Sequence, residues 1–329
     1  MGRPIAGTAS GSPSLIPRFA VIGGIVAVLV SAAFIVNLGG VRLLLGVGVP
    51  AVAPAPPPPP APGLLLSATS IPQGGAFSVR LRSASLAAAS VNFRDRDYSM
   101  VENGDQWYAV IGIGQPIGSE VMTATGDYPA LISYQFKGGR EVYRAQVTIT
   151  VTPTDFPVDA IAPGAVDANL LTPELAASEG AQLQQAYSVF TPQQLWQGPF
   201  TEPVNGSVTT SFGARRSYEG GPVTGSHSGV DLGVPLGTPI SASAAGKVAW
   251  TGSLPDRGNG VILDHGLGVF SGYFHMSQIL ATQGQSIAAG DFIGLAGSTG
   301  LSTGPHVHWE VVVGGVNVDG LQFEHLALP

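Results

Sequence analysis

Between Pro54 and Pro62, seven of nine residues are proline. Proline offers no backbone N–H and fixes its own φ, so this run can enter neither a helix interior nor a central sheet ladder. It favours polyproline II, an extended and semi-rigid spacer of about 3.1 Å per residue. The 329-residue chain is therefore divided into a short N-terminal part and a remainder long enough for about two domains.

The N-terminal part holds a second constraint. Phe19 to Leu38 carries no charged side chain, and Arg3 and Arg18 precede it. As a helix, 20 residues would span about 30 Å, the thickness of a bilayer core. The basic flank puts its N-terminal side in the cytoplasm and everything after it outside. This predicts a cytoplasmic tail over 1–18, a single-pass transmembrane signal anchor over 19–38 and a Pro-rich linker over 39–63. The alternatives are a buried core helix and a signal peptide cleaved after Ala51-Val52-Ala53, with secretion of the rest. The apolar character runs all round the helix, which disfavours the first. Its length disfavours the second.

Composition narrows the rest. Cysteine is absent, which removes disulfides, thiolate metal sites and a thiol nucleophile. A net charge of −7 lacks the basic face of a nucleic-acid binder. With 46 Gly, 27 Pro and 44% hydrophobic residues, a mainly β chain of short strands and turns is expected.

Residues 64–154 read as such strands. Ala76–Leu81 and Tyr143–Val151 alternate with period two. Trp107–Ile111 and Ala130–Phe136 lie between them, and glycine-bearing turns separate the runs. The pattern predicts an immunoglobulin-like β-sandwich without a disulfide. It shows no catalytic constellation, so it reads as a spacer or a binding module. A linker over 155–199 follows, with one helix over 172–190. Thr172 is its N-cap, Pro173 its first residue, and Glu174 complements the dipole.

From residue 200 to 329 strands and glycine turns return, and this segment holds all six histidines. His227 and Asp231 are four apart, an offset that keeps both on one face of a strand. His306 and His308 flank Val307, and in a strand both imidazoles share a face. His275 ends a further aromatic strand. Nitrogen and oxygen donors without sulfur suit zinc, and a catalytic zinc takes three protein ligands and keeps one position open. Five His/Asp residues exceed that need by two, leaving a pair for proton transfer and oxyanion stabilisation. His265 reads as a turn residue or as a partner behind a ligand, and His325 as incidental. Glu310, two residues beyond His308, reads equally as a partner of that histidine or as one end of a surface salt bridge.

Taken in order, seven landmarks resemble one family. They are Thr210-Ser211-Phe212-Gly213-Ala214-Arg215-Arg216, His227-Ser228-Gly229-Val230-Asp231, Gly237-Thr238-Pro239-Ile240, Ala245-Gly246-Lys247-Val248, Leu263-Asp264-His265-Gly266, Tyr273-Phe274-His275-Met276, and the run from Gly297 to Glu310. The segment is similar to the lysostaphin/LytM-type zinc metallopeptidases. The resemblance implies a compact antiparallel β metallopeptidase domain over 200–329, with one Zn2+ held by His227, Asp231 and His308. His275 and His306 would be the unligated catalytic pair. It implies a zinc metalloendopeptidase that uses a zinc-activated water on peptide bonds of a peptidoglycan stem or cross-bridge, and the expected N-terminal anchor would hold it at the bacterial cell membrane. Its partners would be peptidoglycan peptides, the membrane through the N-terminal helix, and a cell-wall or protein partner for the sandwich. The alternative is a catalytically silent LytM-like module that binds or activates other cell-wall hydrolases. Some relatives carry an inhibitory asparagine upstream; the sequence singles out no such residue here, although Asn169 and Asn205 precede the domain. The Tyr218–Gly225 stretch would form a loop beside the groove.

Overall fold

The structure, a computed structural model, describes residues 34–38, 41–45 and 59–323, apart from Glu120, Pro163 and Glu219. The expected cytoplasmic tail, the first part of the expected anchor and His325 lie outside the described residues. Two units are defined, 1–58 and 59–329. In the first, Phe34–Leu38 and Val41–Leu45 are antiparallel strands, with Phe34 opposite Leu45 and Leu38 opposite Val41. The expected helix therefore does not extend through Leu38. Phe34-Ile35-Val36 is an aromatic and β-branched run, which favours extended backbone. Among the described residues, no helix is long and apolar enough to cross a membrane.

In the second unit, residues 63–152 form two sheets. One runs Gly63–Leu66, Gly75–Arg82, Gln106–Ile113, Val101–Asn103. The other runs Ser70–Pro72, Val142–Thr152, Gly126–Phe136, Leu86–Phe93, Arg96–Ser99. Phe77, Val79 and Leu81 from the first meet Val91, Phe93, Ile132 and Ile149 from the second in one core. The opposite face of the first sheet is buried as well. Ala76, Tyr108 and Val110 belong to the core of the C-terminal domain. This explains why Gln106–Ile113 is buried at nearly every position, as a strand covered on both faces must be.

Backbone pairing joins the same two parts. Gln115–Pro116 runs antiparallel to Val316–Val318, the edge of the C-terminal sheet. Arg96 Nη1 donates to the carbonyls of Gly314 and Gly315, both at 3.1 Å. Gly114 lies so close to the Asn317 carbonyl that a Cβ would collide with it.

The C-terminal sheet is antiparallel and ordered Val316–Val318, His306–Val313, Val269–Met276, Gly258–Gly266, Gly246–Leu254, Ser286–Ile287. Val230–Gly233 pairs with the first half of His306–Val313 and carries Ser207–Thr210 on its far side. The strand His306–Val313 thus has neighbours along both edges, and its wholly buried Val307, Trp309, Val311 and Val313 fill the core.

One α-helix of more than one turn is described, α1, Pro173–Ala186. Its N-terminus is as the sequence predicts, with the Thr172 hydroxyl accepting from the Leu175 N–H at 3.2 Å. It stops four residues before the expected end at 190, because Tyr187 leaves helical geometry at φ −88°, ψ 4° and turns its ring into the sheet. Leu183, Ala186 and Tyr187 pack there against Ile262, Phe270, Phe274 and Val312.

Candidate metal centre

Strand register builds the centre. Asp231 lies directly opposite His308, and His308 is flanked on its other edge by Phe274. Directly opposed residues bring their Cβ atoms to about 5 Å. His227 precedes the strand and reaches the same point because Gly229 lets the chain run close. A Cβ at Gly229 would strike the Trp309 carbonyl.

Three donor atoms converge. His227 Nε2 is 3.0 Å from Asp231 Oδ1 and 2.9 Å from His308 Nδ1, and His308 Nδ1 is 2.8 Å from Asp231 Oδ1. All three residues are buried. The second ring nitrogens fix the tautomers. His227 Nδ1 donates to the Ser211 carbonyl at 3.0 Å, and His308 Nε2 donates to Glu310 Oε1 at 3.1 Å. In neutral imidazoles the inward nitrogens are then lone pairs, and the carboxylate oxygen brings a third. Two imidazole nitrogens and a carboxylate oxygen facing one point are a donor set suited to a cation, and the pull of Asp231 and Glu310, which raises the His308 pKa against its burial, shows that the site favours positive charge. Tetrahedral zinc with ligands at about 2.0–2.1 Å would place its donors about 3.3 Å apart, a small outward adjustment from the spacing here. Two nitrogens and one carboxylate, with no sulfur, fit zinc.

Charges around the centre reinforce this. Burial, helped by the Arg216 guanidinium, pushes the His227 pKa down to about 4, so that ring stays neutral. Burial opposes the charge on Asp231, but His227 and His308 hold it well below the usual carboxylate range. Arg216 Nη2 stands 3.4 Å from Asp231 Oδ2, the oxygen turned away from the histidines.

The remaining two predicted residues lie alongside. His306 Nε2 is 3.6 Å from Asp231 Oδ1. The His275 ring is centred 4.6 Å from that of His306 and 5.8 Å from that of His308. Each gives its Nδ1–H to a backbone carbonyl, Gly304 for His306 at 2.8 Å and Thr299 for His275 at 2.7 Å. Both therefore present Nε2 as a base. Burial pushes both pKa values down. His275 holds a left-handed backbone at φ +58°, a conformation uncommon outside glycine and often kept at functional positions.

Other predicted residues lie elsewhere. His265 donates to the Ala245 carbonyl at 2.8 Å and meets the Ser271 hydroxyl at 2.7 Å. Asn169 gives its amide to Asp167 at 2.8 Å, and Asn205 is exposed. The 218–225 stretch is partly a hairpin, with Val223–Ser226 paired to Arg215–Tyr218. Glu310 is fully buried, and its partner is His308 rather than solvent.

The sequence reading missed what stands behind Glu310. Tyr187 donates to its Oε2 at 3.1 Å, Ser228 to its Oε1 at 2.6 Å, and Arg257 Nε to its Oε1 at 2.9 Å. Arg257 Nη1 continues to Glu179 Oε1 at 2.6 Å. A cavity of about 590 Å³ borders the centre, and its lining includes His227, His275 and His308 together with Leu175, Glu179 and Leu183 of α1.

Residues 225–320 match the family described as Peptidase family M23. The chain carries a peptidase family M23 domain. M23 peptidases are zinc metallopeptidases, in agreement with the donor set. The chain is 34% identical over 146 residues to the peptidoglycan DD-endopeptidase ShyA of Vibrio cholerae, covering 44% of this chain and 31% of that protein. It is 41% identical over 103 residues to the DD-carboxypeptidase/endopeptidase Mpg of Neisseria meningitidis, covering 31% of this chain and 23% of the relative. The chain thus spans less than a third of the length of these curated relatives. A crystal structure from Pseudomonas aeruginosa assigned to peptidase M23 superposes with a TM-score of 0.55 at 27% identity, covering 77% of this chain and 94% of that one. That coverage extends well upstream of the M23 segment.

Proposed function

We propose that this M23 chain is a zinc metalloendopeptidase that hydrolyses peptide bonds in the stem or cross-bridge of peptidoglycan. The observation that carries the proposal is the convergence of three buried donor atoms beside two further imidazoles, with His227, His275 and His308 lining one cavity. The printed names of the relatives support the substrate class.

His227, Asp231 and His308 would hold the ion. Zinc bound there supplies Lewis acidity, which polarises a carbonyl and brings the pKa of water towards about 7. His275 and His306 are held by their Nδ1–H bonds so that Nε2 faces the reacting bond. One of them accepts the proton of the attacking water and delivers it to the leaving amine. The other takes a proton from solvent at Nε2, donates it in a hydrogen bond to the developing oxyanion, and returns it to solvent when the product leaves. Asp231 also keeps negative charge close to His306, 3.6 Å away, which favours the protonated ring as it forms. A silent binding module is disfavoured, because such a module has no use for a complete donor set.

We also place the active domain outside the cytoplasm, attached to the cell membrane through the apolar stretch after Arg18. The basic flank, the proline spacer and the location of peptidoglycan support this. High-salt washing of membranes tests it, and release by salt alone would argue against insertion.

For the activity, the full chain with zinc is incubated with purified peptidoglycan and products are read by mass spectrometry. New free amines and carboxyls at peptide bonds, abolished by a chelator and restored by zinc, are expected. Unchanged peptidoglycan with zinc-loaded protein would overturn the assignment.

A further inference from the structure

The M23 segment begins at residue 225, yet a carboxylate nearly fifty residues earlier reaches the back of the centre. Glu179 lies midway along α1 and is 2% exposed. Its Oε1 takes Arg257 Nη1 at 2.6 Å, and its Oε2 takes the Asp256 N–H at 2.7 Å. Both oxygens are committed to one short segment, Asp256-Arg257. That segment serves the centre twice. The Arg257 side chain binds Glu310 and the Ser228 hydroxyl, the latter at 2.8 Å. Glu310 in turn accepts from His308 Nε2. The Arg257 carbonyl accepts the backbone N–H of His275 at 2.9 Å, where the chain adopts its left-handed conformation.

We propose that Glu179 is a positioning residue of the centre, and that α1 sets metal affinity through the path Glu179, Arg257, Glu310, His308. The proposal rests on the metal-centre reading above but not on the substrate. A carboxylate behind a ligating histidine fixes its ring and raises its basicity, and loss of such partners typically weakens metal binding 10–100-fold. Glu310 is that carboxylate here. It shares its site with a buried guanidinium whose own balance needs a second carboxylate, because a buried charge left without a partner is costly. Glu179 supplies it. Without Glu179, Arg257 loses one end of its anchorage, and Glu310 and the His275 backbone lose a fixed partner together.

The test uses the full chain with Glu179→Gln, which keeps shape and removes charge. Zinc affinity is measured by competition with a chromophoric chelator, and ligand geometry by the visible spectrum of the cobalt(II) form. We expect zinc to bind about tenfold more weakly and the cobalt bands to shift, with Glu174→Gln on the exposed side of the same helix unchanged in both. In a double-mutant cycle, Glu179→Gln combined with Glu310→Gln should bind zinc no more weakly than Glu310→Gln alone, because the two act along one path. If Glu179→Gln does not fold, Arg257→Lys replaces it, with the same expectations. Unaltered zinc affinity and cobalt spectrum, or independent multiplication of the two losses, would overturn the proposal. Each readout is a metal measurement, so inactivity towards peptidoglycan would bear only on the proposed substrate.

Discussion

Asp231 and His308 occupy directly opposed positions on two antiparallel strands, and their side chains meet at 2.8 Å. Because register sets this distance, the centre depends on the same backbone pairing that builds the sheet.

His308→Ala should remove metal and activity together, since it deletes one of three donors. His306→Ala and His275→Ala should retain most of the zinc and lose turnover by about 10²–10⁴-fold. Metal analysis beside initial rates decides this. Equal zinc loss in His306→Ala and His308→Ala would exchange their roles.

Chelation should destabilise the folded chain, since it removes an ion that binds the folded donor set and not the unfolded chain. At a free zinc concentration of 100 times its Kd, binding adds about 2.7 kcal/mol to stability. Thermal denaturation with EDTA and with graded zinc should show a melting temperature that rises with zinc. His308→Ala should not respond.

Stability should also fall in acid through a residue away from the centre. Burial pushes the His265 pKa down to about 4, partly offset by its bond to the Ala245 carbonyl. The unfolded chain takes up this proton near pH 6.5, before the folded chain does. The contribution is therefore complete above pH 6.5 and is lost as pH falls towards 4. Between pH 7 and pH 5 the loss is about 2 kcal/mol. Urea unfolding of the parent and of His265→Gln at both pH values measures it. The gap between the two proteins should narrow by that amount at pH 5.

Gly114→Ala should loosen the join between sandwich and C-terminal domain, because its methyl group would meet the Asn317 carbonyl. A backbone oxygen cannot move aside as a side chain does, so a cost of about 3 kcal/mol is expected. Calorimetry should register a melting temperature lower by about 5–10 °C.

Much of the centre was legible because its residues obey short-range periodicity. The two-residue spacing of His306 and His308 places both beside Asp231, and the four-residue spacing of His227 and Asp231 survives the turn at Gly229. The α1 N-terminus was legible for the same reason, as capping is local. What escaped was set by tertiary contact. Tyr187 and Glu310 are 123 residues apart, and Arg257 and Glu179 are 78 apart. One trace of this was present in the sequence. Glu179 sits one helical turn before Leu183 and seven residues before Ala186, so it interrupts an otherwise apolar stripe, and a buried charge needs a partner. The Phe34–Leu38 strand escaped because an uncharged apolar run satisfies a helix and a hairpin alike, and hydropathy does not separate them.

The sheet formed by Gly75–Arg82 and Gln106–Ile113 gives one face to each of two cores. A fragment beginning at residue 200 would present to solvent the apolar surface that Ala76, Tyr108 and Val110 now cover, and would also lack α1. Poor solubility or low activity in such a truncated protein would reflect a missing wall, so enzymology on this chain belongs on protein that begins at or before the proline run.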